Sequence, residues 1–451
     1  MLKKVSRLDS GPANGASESI PNLDTGEAST PVPDWYIFRV KVQQRLEAFT
    51  KNHDDIRKTP HLDRKIELCL EDLLTEGNIS LTAEERQSVL QEAKADALGY
   101  GLLQPLLDDD SITEIMVNGP KEIYVERLGL LELLRAGFEN EAHLARIIER
   151  MVSNVGRRID GASPMVNARL PHGHRLNAVI APLAVDGPAL TIRKFARTPY
   201  TVQDLINNGT FTPQCIGFLK ACVEARINIV ISGATGSGKT TLLNVASSFI
   251  PRGERIVTIE DTAELQLKQA HVVRLEARPP DVDEKGEITI RQLLFNALRM
   301  RPDRIIVGEA RGAEALDMLQ AMNTGHDGSL TTVHSNTPRD TLRRIELMTL
   351  TAGLEISSRA IREMIAAAIE LVVHVDRLRD GSRKIVQVTE IDGMEGDIVR
   401  MTDLFVLDPS SPAKGQGTGT LRATGLLPKF EQKFAKNHVA LPKSLFTANP
   451  L

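Results

Sequence analysis

The feature that most constrains this chain is a phosphate-binding loop set between a strand and a helix. Residues 233–240 read Gly-Ala-Thr-Gly-Ser-Gly-Lys-Thr, the complete pattern of such a loop. The apolar, β-branched residues 227–232 predict a buried parallel strand before it, and apolar residues recur at helical spacing from Thr241 onward. In this order, backbone amides and a helix N-terminus can surround phosphate groups. The sequence therefore predicts a nucleoside triphosphate site in an α/β fold.

Individual positions of the loop have separate predicted roles. We expect Lys239 to contact the β- and γ-phosphates and the Thr240 hydroxyl to hold Mg²⁺, so ATP and Mg²⁺ are the predicted ligands. The other positions that we expect to surround the nucleotide are Gly233, Ala234, Thr235, Gly236, Ser237, Gly238 and Thr241.

Composition limits the classes of function. The net charge is −4 and aromatic residues make up 4% of the chain, whereas proteins that track single strands combine basic channels with stacking rings. We therefore expect no stable nucleic-acid binding. A nucleic-acid motor stays an alternative, which stimulation of ATP hydrolysis by single-stranded DNA would support.

The same composition predicts a cytoplasmic protein. The three cysteines, Cys69, Cys215 and Cys222, form no CxxC pair and are predicted to fill apolar cores in a reducing compartment. No apolar leader follows Met1, and the apolar stretch at residues 365–375 is too short and too charged to cross a bilayer. Any membrane association is expected to depend on partners.

The chain is predicted to have five segments. Residues 1–33 are rich in Ser, Gly, Pro and Asn and are predicted to be a disordered tail. Residues 34–107 have the apolar spacing of a helical bundle, and residues 108–199 read as an α+β domain. Residues 200–405 alternate strands and helices, which predicts a mostly parallel sheet with helices on both faces. Residues 406–451 open with a Gly- and Ser-rich linker and are predicted to be a flexible tail.

Three further patterns follow the phosphate-binding loop. Residues 255–264 are an apolar strand that runs into carboxylates, and residues 304–309 are a second such strand, ending at Glu309, which could hold Mg²⁺. Residues 324–334 are a turn and a strand that end at His334. The carboxyl ends of parallel strands are where α/β sheets bind ligands, so the three patterns are expected to meet the loop at one edge.

This order resembles the secretion ATPase superfamily, the motors of type II and type IV secretion and of type IV pili. The four patterns correspond to its Walker A loop, Asp box, Walker B strand and His box. Residues 155–195, 298–303 and 309–312 further resemble one branch, the CpaF-type Tad/Flp pilus assembly ATPases. No cysteine follows Cys222, so the paired CxxC zinc motif of type II secretion and pilus-extension enzymes is missing. The resemblance covers about residues 80–405.

The resemblance implies an architecture and an assembly. The expected fold is a RecA-like P-loop ATPase core, preceded by a PAS-like α+β domain and a helical bundle, with a hinge near residues 199–208. Six identical subunits are expected to form a ring at the cytoplasmic face of the inner membrane, where platform proteins of a pilus or secretion system are the partners. The alternatives are a type IV secretion ATPase for conjugation or effector export, and a scaffold that binds ATP without turnover.

The resemblance also assigns roles within the site. It implies that Glu264 deprotonates the attacking water, that Glu309 coordinates Mg²⁺ and that His334 senses the γ-phosphate. The residues alone do not distinguish Glu264 from Glu260 as the base. Two arginines of the preceding domain, Arg175 and Arg193, lie where the family has arginines that reach a nucleotide; a surface ion pair is the alternative for each.

Overall fold

The computed structural model describes residues 99–127, 129–134, 136–195, 199–280, 285–409 and 419–447, with a few positions between 67 and 87. The chain divides into two compact units, Met1–Gly101 and Leu102–Leu451. In the first unit, the described positions include an ion pair of 2.6 Å between Arg86 and Glu71. The predicted disordered tail and most of the predicted helical bundle lie outside the described residues. The second unit contains two sheets.

The first sheet, which we call the N-terminal sheet, has six strands and is entirely antiparallel. Its strand order is β3-β2-β1-β6-β5-β4. The strands are β1 (Ile112–Asn118), β2 (Glu122–Arg127), β3 (Leu130–Leu134), β4 (Met165–Arg169), β5 (Arg175–Val179) and β6 (Ala189–Arg193). Short α1 (Leu103–Asp108) precedes the sheet, and α2 (Glu141–Ser153) connects β3 to β4. The predicted α+β character of this region is confirmed.

Helix α2 shows why this region folds as it does. The Asn140 side chain caps its first turn by accepting a hydrogen bond of 2.9 Å from the His143 amide. Apolar residues at positions 144, 147, 148, 151 and 152 are all buried, and this spacing places them on one face of the helix. The cap and the buried face together account for a helix over Glu141–Ser153.

The second sheet, which we call the P-loop sheet, has nine strands in the order β15-β14-β13-β12-β7-β11-β10-β8-β9. Pairing is parallel from β12 through β9 and antiparallel from β12 through β15. The strands are β7 (Ile229–Gly233), β8 (Ile256–Glu260), β9 (Val272–Glu276), β10 (Arg304–Ala310), β11 (Leu330–His334), β12 (Leu371–Arg377), β13 (Arg383–Glu395), β14 (Ile398–Asp408) and β15 (Thr420–Ala423).

Helices cover both faces of the P-loop sheet, as predicted. In β7, Ile229 and Ile231 belong to one buried apolar cluster, while Val230 between them belongs to the other. The helices are α3 (Val202–Asn207), α4 (Pro213–Glu224), α5 (Lys239–Ser247), α6 (Ile290–Ala297), α7 (Glu314–Asn323), α8 (Pro338–Leu350), α9 (Ser358–Ala368) and α10 (Glu431–Lys436). Helices α4 and α5 pack in the first cluster, and α6 to α9 pack in the second.

The prediction of a flexible tail over residues 406–451 is wrong for its described part. Strand β14 continues to Asp408, and β15 pairs with it to extend the sheet. Phe434 and Phe446 are buried in the first apolar cluster, and the Phe446 ring lies 5.2 Å from that of Phe218. Burial of these aromatic rings holds the segment in place.

Two other expectations concern single residues and helices. Cys215 and Cys222 are buried in the first apolar cluster, as predicted, and burial raises the pKa of Cys215 to about 12. Cys69 lies outside the described residues. Within the described residues, no helix is both long enough and apolar enough to cross a membrane.

Candidate nucleotide-binding site

The phosphate-binding loop has the backbone geometry that its glycines predict. Strand β7 ends at Gly233 and α5 begins at Lys239. Gly236 and Gly238 have φ values of +71° and +97°, in the left-handed region that side chains disfavour. A Cβ on Gly233 would lie 2.2 Å from the Val375 carbonyl oxygen of β12. Glycine is thus required both for the turn and for the close approach of β12.

The loop fits an anion. The Lys239 ammonium donates hydrogen bonds to the carbonyl oxygens of Gly233 at 3.0 Å and Ala234 at 2.8 Å, so it is held against the loop. The Ser237 hydroxyl is buried and has no hydrogen-bond partner among the described residues. Burial lowers the pKa of Lys239, while the carboxylate of Glu309 opposes that shift. A phosphate group would supply both the acceptor and the counter-charge that this site calls for.

The two candidate bases of the Asp box, Glu260 and Glu264, have different surroundings. The Glu260 carboxylate is buried, and its Oε2 accepts hydrogen bonds from the backbone amides of Glu264 at 2.8 Å and Leu265 at 2.9 Å. Burial raises the pKa of Glu260. Glu264 is instead half-buried and lines a cavity beside the loop. Glu260 therefore holds the turn that positions Glu264.

The Walker B strand ends in an ion-pair network. Glu309 accepts a hydrogen bond of 2.6 Å from Arg311, whose other nitrogen donates to Asp261 of the Asp box at 3.0 Å. Arg311 thereby joins the carboxyl ends of β10 and β8. Arg311 lies within residues 309–312 of the CpaF-type pattern, from which no role was predicted for it.

His334 lies at the end of β11, next to the loop. Its Nδ1 is 3.4 Å from the Thr235 hydroxyl, and β11 pairs with β7 so that His334 lies opposite Gly233. Burial and the nearby Lys239 lower the pKa of His334, which favours the neutral imidazole. A neutral ring can accept as well as donate a hydrogen bond at the loop.

The two arginines of the N-terminal sheet have carboxylate partners. Arg175, at the start of β5, makes an ion pair of 3.0 Å with Glu264. Arg193, at the end of β6, lies 3.6 Å from Glu114 of β1. Arg169 of β4 also donates a hydrogen bond of 3.1 Å to the Ala263 carbonyl. The N-terminal sheet thus contacts the Asp box.

These parts surround a cavity of about 460 Å³. The predicted site residues that line it are Thr235, Gly236, Ser237, Gly238, Thr240, Thr241, Arg175, Arg193 and Glu264. The other predicted residues are not among those that line it: Gly233, Ala234 and Lys239 belong to the loop, His334 lies beside Thr235, and Glu309 is bound to Arg311. The cavity is therefore bounded by the loop, the Asp box and the N-terminal sheet.

Sequence reasoning missed two arginines of this cavity. Arg377 and Arg383 lie on either side of the turn between β12 and β13, and both line the cavity together with Glu126 of β2. The available signal was the basic stretch that follows the buried strand β12, read as Arg-Leu-Arg-Asp-Gly-Ser-Arg over residues 377–383. These arginines reach the loop because β12 pairs with β7, and the sequence does not reveal that pairing.

The described residues contain no group of three or more His, Cys, Asp or Glu side chains placed to hold a metal ion. Thr240 and Glu309 are therefore too few to bind Mg²⁺ without other ligands. Their hydroxyl and carboxylate groups are oxygen donors, the kind that Mg²⁺ prefers, and Mg²⁺ commonly completes its shell with water and substrate phosphates.

Residues 96–411 match the family model described as Type II/IV secretion system protein. The chain belongs to this family. The predicted resemblance to the secretion ATPase superfamily is confirmed, and with it the RecA-like α/β fold of the P-loop sheet.

Relatives within the type II/IV secretion family have names from conjugation and secretion. The chain is 36% identical over 319 residues to a putative conjugal transfer protein of Mycobacterium tuberculosis, covering 69% of this chain and 90% of that one. It is 36% identical to the conjugal transfer protein TrbB of Rhizobium radiobacter, covering 66% of this chain and 89% of that one. Among solved structures it is similar to the VirB11 ATPase of Brucella suis, at 32% identity and a TM-score of 0.36, covering 64% of this chain and 95% of that one.

Proposed function

We propose that this chain hydrolyses ATP to ADP and phosphate and uses the energy to drive a secretion or pilus system. The observation that carries the proposal is the cavity in which the loop, Glu264 and Arg175 meet. The cavity combines backbone amides for phosphates, a half-buried carboxylate for a proton and an arginine for developing charge. Phosphoryl transfer depends on this kind of positioning and charge stabilisation more than on covalent chemistry.

In this proposal the roles divide among the side chains. Lys239 turns from the loop carbonyls to the β- and γ-phosphates. Glu264 orients a water molecule and accepts its proton as the water oxygen bonds to the γ-phosphorus and the bond to ADP breaks. Arg175 and Arg193 stabilise the charge that develops on the transferred group, and His334 senses the γ-phosphate.

Thr240 and Glu309 would hold Mg²⁺, which would neutralise charge on the phosphates. Glu309 accepts a hydrogen bond of 2.6 Å from Arg311 at Oε2, so it would hold the ion through Oε1 or by leaving Arg311. Arg311 keeps a second partner in Asp261, so it stays anchored when Glu309 moves.

The proposed assembly is a homohexamer at the cytoplasmic face of the inner membrane, working with membrane-embedded platform proteins. The contacts of the N-terminal sheet with the Asp box support a mechanism in which nucleotide binding moves that sheet about the segment at residues 199–208. Stable binding of nucleic acid is not part of the proposal.

Two systems are candidates for the motor. Residues 155–195 and the Arg-Met-Arg-Pro-Asp pattern at residues 299–303 favour assembly of a Tad/Flp pilus. The relatives named as conjugal transfer proteins favour a type IV secretion system for conjugation or effector export. Deletion of the gene, followed by counting of surface pili and of conjugation frequency, distinguishes the two: the phenotype that the wild-type chain restores and the Lys239→Ala variant does not restore identifies the system.

The activity itself is tested by phosphate release from purified full-length protein with ATP and Mg²⁺. If Arg175 or Arg193 also completes the site of a neighbouring subunit, turnover should rise more steeply than linearly with protein concentration. Intact ATP binding without phosphate release under any assembly condition would instead favour the alternative of a scaffold that binds ATP without turnover.

Arginine sharing has its own experiment. Lys239→Ala subunits mixed with Arg193→Ala subunits are expected to regain part of the activity, since some interfaces then combine an intact loop with an intact arginine. Arg193→Ala mixed with Arg175→Ala is the matched control. Linear concentration dependence without recovery would contradict a shared site.

A further inference from the structure

The turn between β12 and β13 places two arginines beside the phosphate-binding loop. Strand β12 pairs in parallel with β7, with His374 opposite Ser232, so the carboxyl end of β12 reaches the same edge as the loop. Asp380 fixes the turn by accepting hydrogen bonds from the Ser382 amide at 2.9 Å and hydroxyl at 2.6 Å. Arg377 and Arg383, which pair across this turn, therefore have a defined position.

Both arginines contact the loop or the N-terminal sheet. Arg383 donates a hydrogen bond of 2.8 Å from Nε to the Gly236 carbonyl of the loop, and its Nη2 lies 3.6 Å from Glu126. Arg377 donates from Nη2 to the Gly129 carbonyl, and its Nη1 lies 3.8 Å from Glu126. A single carboxylate of β2 thus faces two guanidinium groups of the P-loop sheet.

The carboxylate is well held, but its ion pairs are loose. Glu126 has a side-chain exposure of 12% and accepts a hydrogen bond of 3.0 Å from the Thr113 hydroxyl. Its distances to Arg377 and Arg383 exceed hydrogen-bond length, so the attraction is electrostatic. Guanidinium groups match phosphate with two parallel hydrogen bonds, a stronger arrangement than a long ion pair.

We propose that Arg377 and Arg383 bind the phosphates of the nucleotide, and that Glu126 is the anion that competes with those phosphates for the two arginines. Binding at the loop then releases Glu126, and the change is transmitted to β2 and the N-terminal sheet. The proposal rests on the proposed function, because it takes the cavity to be the nucleotide site.

The test is the affinity of the purified full chain for ATP with Mg²⁺, measured by titration calorimetry. The Arg377→Ala, Arg383→Ala double variant is expected to bind at least about tenfold more weakly, the scale of losing a charged hydrogen bond. Glu126→Gln is expected to bind about threefold more tightly, because a competing charge is removed. Glu122→Gln is the matched control; Glu122 is exposed on the same face of β2, and its loss should leave the affinity unchanged.

A double-mutant cycle separates competition from a structural role. In the double arginine variant, Glu126→Gln should no longer improve binding, because the arginines for which it competes are gone. A structural carboxylate would instead give weaker binding in both backgrounds. If the alanine variants do not fold, Arg377→Lys with Arg383→Lys keeps the charges and is expected to bind with intermediate affinity.

The outcomes distinguish this inference from the proposed function. Unchanged affinity in the double arginine variant, or unchanged or weaker affinity in Glu126→Gln, overturns the inference. Lys239→Ala is the reference in the same titration: if it too binds ATP normally, the nucleotide site itself is wrong.

Discussion

The P-loop sheet and the N-terminal sheet face the same cavity but are built differently. Strand β7 of the P-loop sheet is buried along its whole length and has parallel neighbours on both sides. Strand β6 of the N-terminal sheet alternates buried and exposed residues and has antiparallel neighbours. The P-loop sheet presents the backbone of its loop to the cavity, and the N-terminal sheet presents the side chains of Arg175 and Arg193.

Because of this difference in construction, the two sheets contribute differently to binding and to turnover. A loop fixed by buried strands and glycines is preorganised, so it binds phosphate with little loss of conformational freedom. Arg175 and Arg193 are partly exposed side chains held by ion pairs, which can rearrange. We infer that the loop of the P-loop sheet determines nucleotide affinity, and that the N-terminal sheet contributes mainly to turnover, together with Glu264 of the Asp box.

The largest expected effect is at Lys239, because its ammonium is held at the loop by two carbonyl oxygens. Lys239→Ala is expected to weaken ATP binding at least about 100-fold, since the main cation of the loop is lost. Lys220→Ala is the control, because Lys220 is exposed on α4 and pairs with Glu224 four residues on. Normal ATP affinity in the Lys239 variant would remove the P-loop sheet from its assigned role.

The next effect distinguishes the two acids of the Asp box. Glu264→Gln should keep ATP affinity but lower turnover at least about 100-fold, the scale of losing a positioned base. Glu260→Gln retains an oxygen for the amides of Glu264 and Leu265, so turnover should fall less than about tenfold. Phosphate release and calorimetry on both variants provide the test. The reverse pattern would make Glu260 the base.

The smallest effect concerns stability rather than chemistry. Phe446 is buried against Phe218 and Phe405, so Phe446→Ala should lower the free energy of unfolding by about 3–5 kcal/mol. Leu426→Ala, at an exposed position of the same segment, should change it by less than about 0.5 kcal/mol. Urea unfolding measures both. If the loss of unfolding free energy in Phe446→Ala were as small as that in Leu426→Ala, the Phe446 ring would not stabilise the P-loop sheet.

The regions also differ in how far the sequence predicts them. The strands β7, β8 and β10 contain apolar runs that end in recognisable motifs, so their existence and their approach to one edge followed from local pattern. The C-terminal segment did not, because its phenylalanines are scattered behind a polar linker and become apolar contacts only when the sheet is assembled.

Within the site, motif residues were predictable and their partners were not. Glu260 and Glu264 look alike in the sequence, and only the turn after β8 shows that one binds backbone amides while the other lines the cavity. Arg377 and Arg383 reach the loop because β12 lies beside β7 in the sheet. Strand order is a long-range property that no local pattern of residues contains.

The most direct test of these separate contributions is to measure both ATP affinity and turnover in Arg175→Ala. Arg175 belongs to the N-terminal sheet and makes its ion pair with Glu264. Calorimetry and phosphate release should give an ATP Kd within about threefold of wild type and a kcat lower by about 10³-fold. An unchanged kcat, or a loss of ATP binding as large as that of Lys239→Ala, would contradict the claim that the loop sets affinity while the N-terminal sheet acts on turnover.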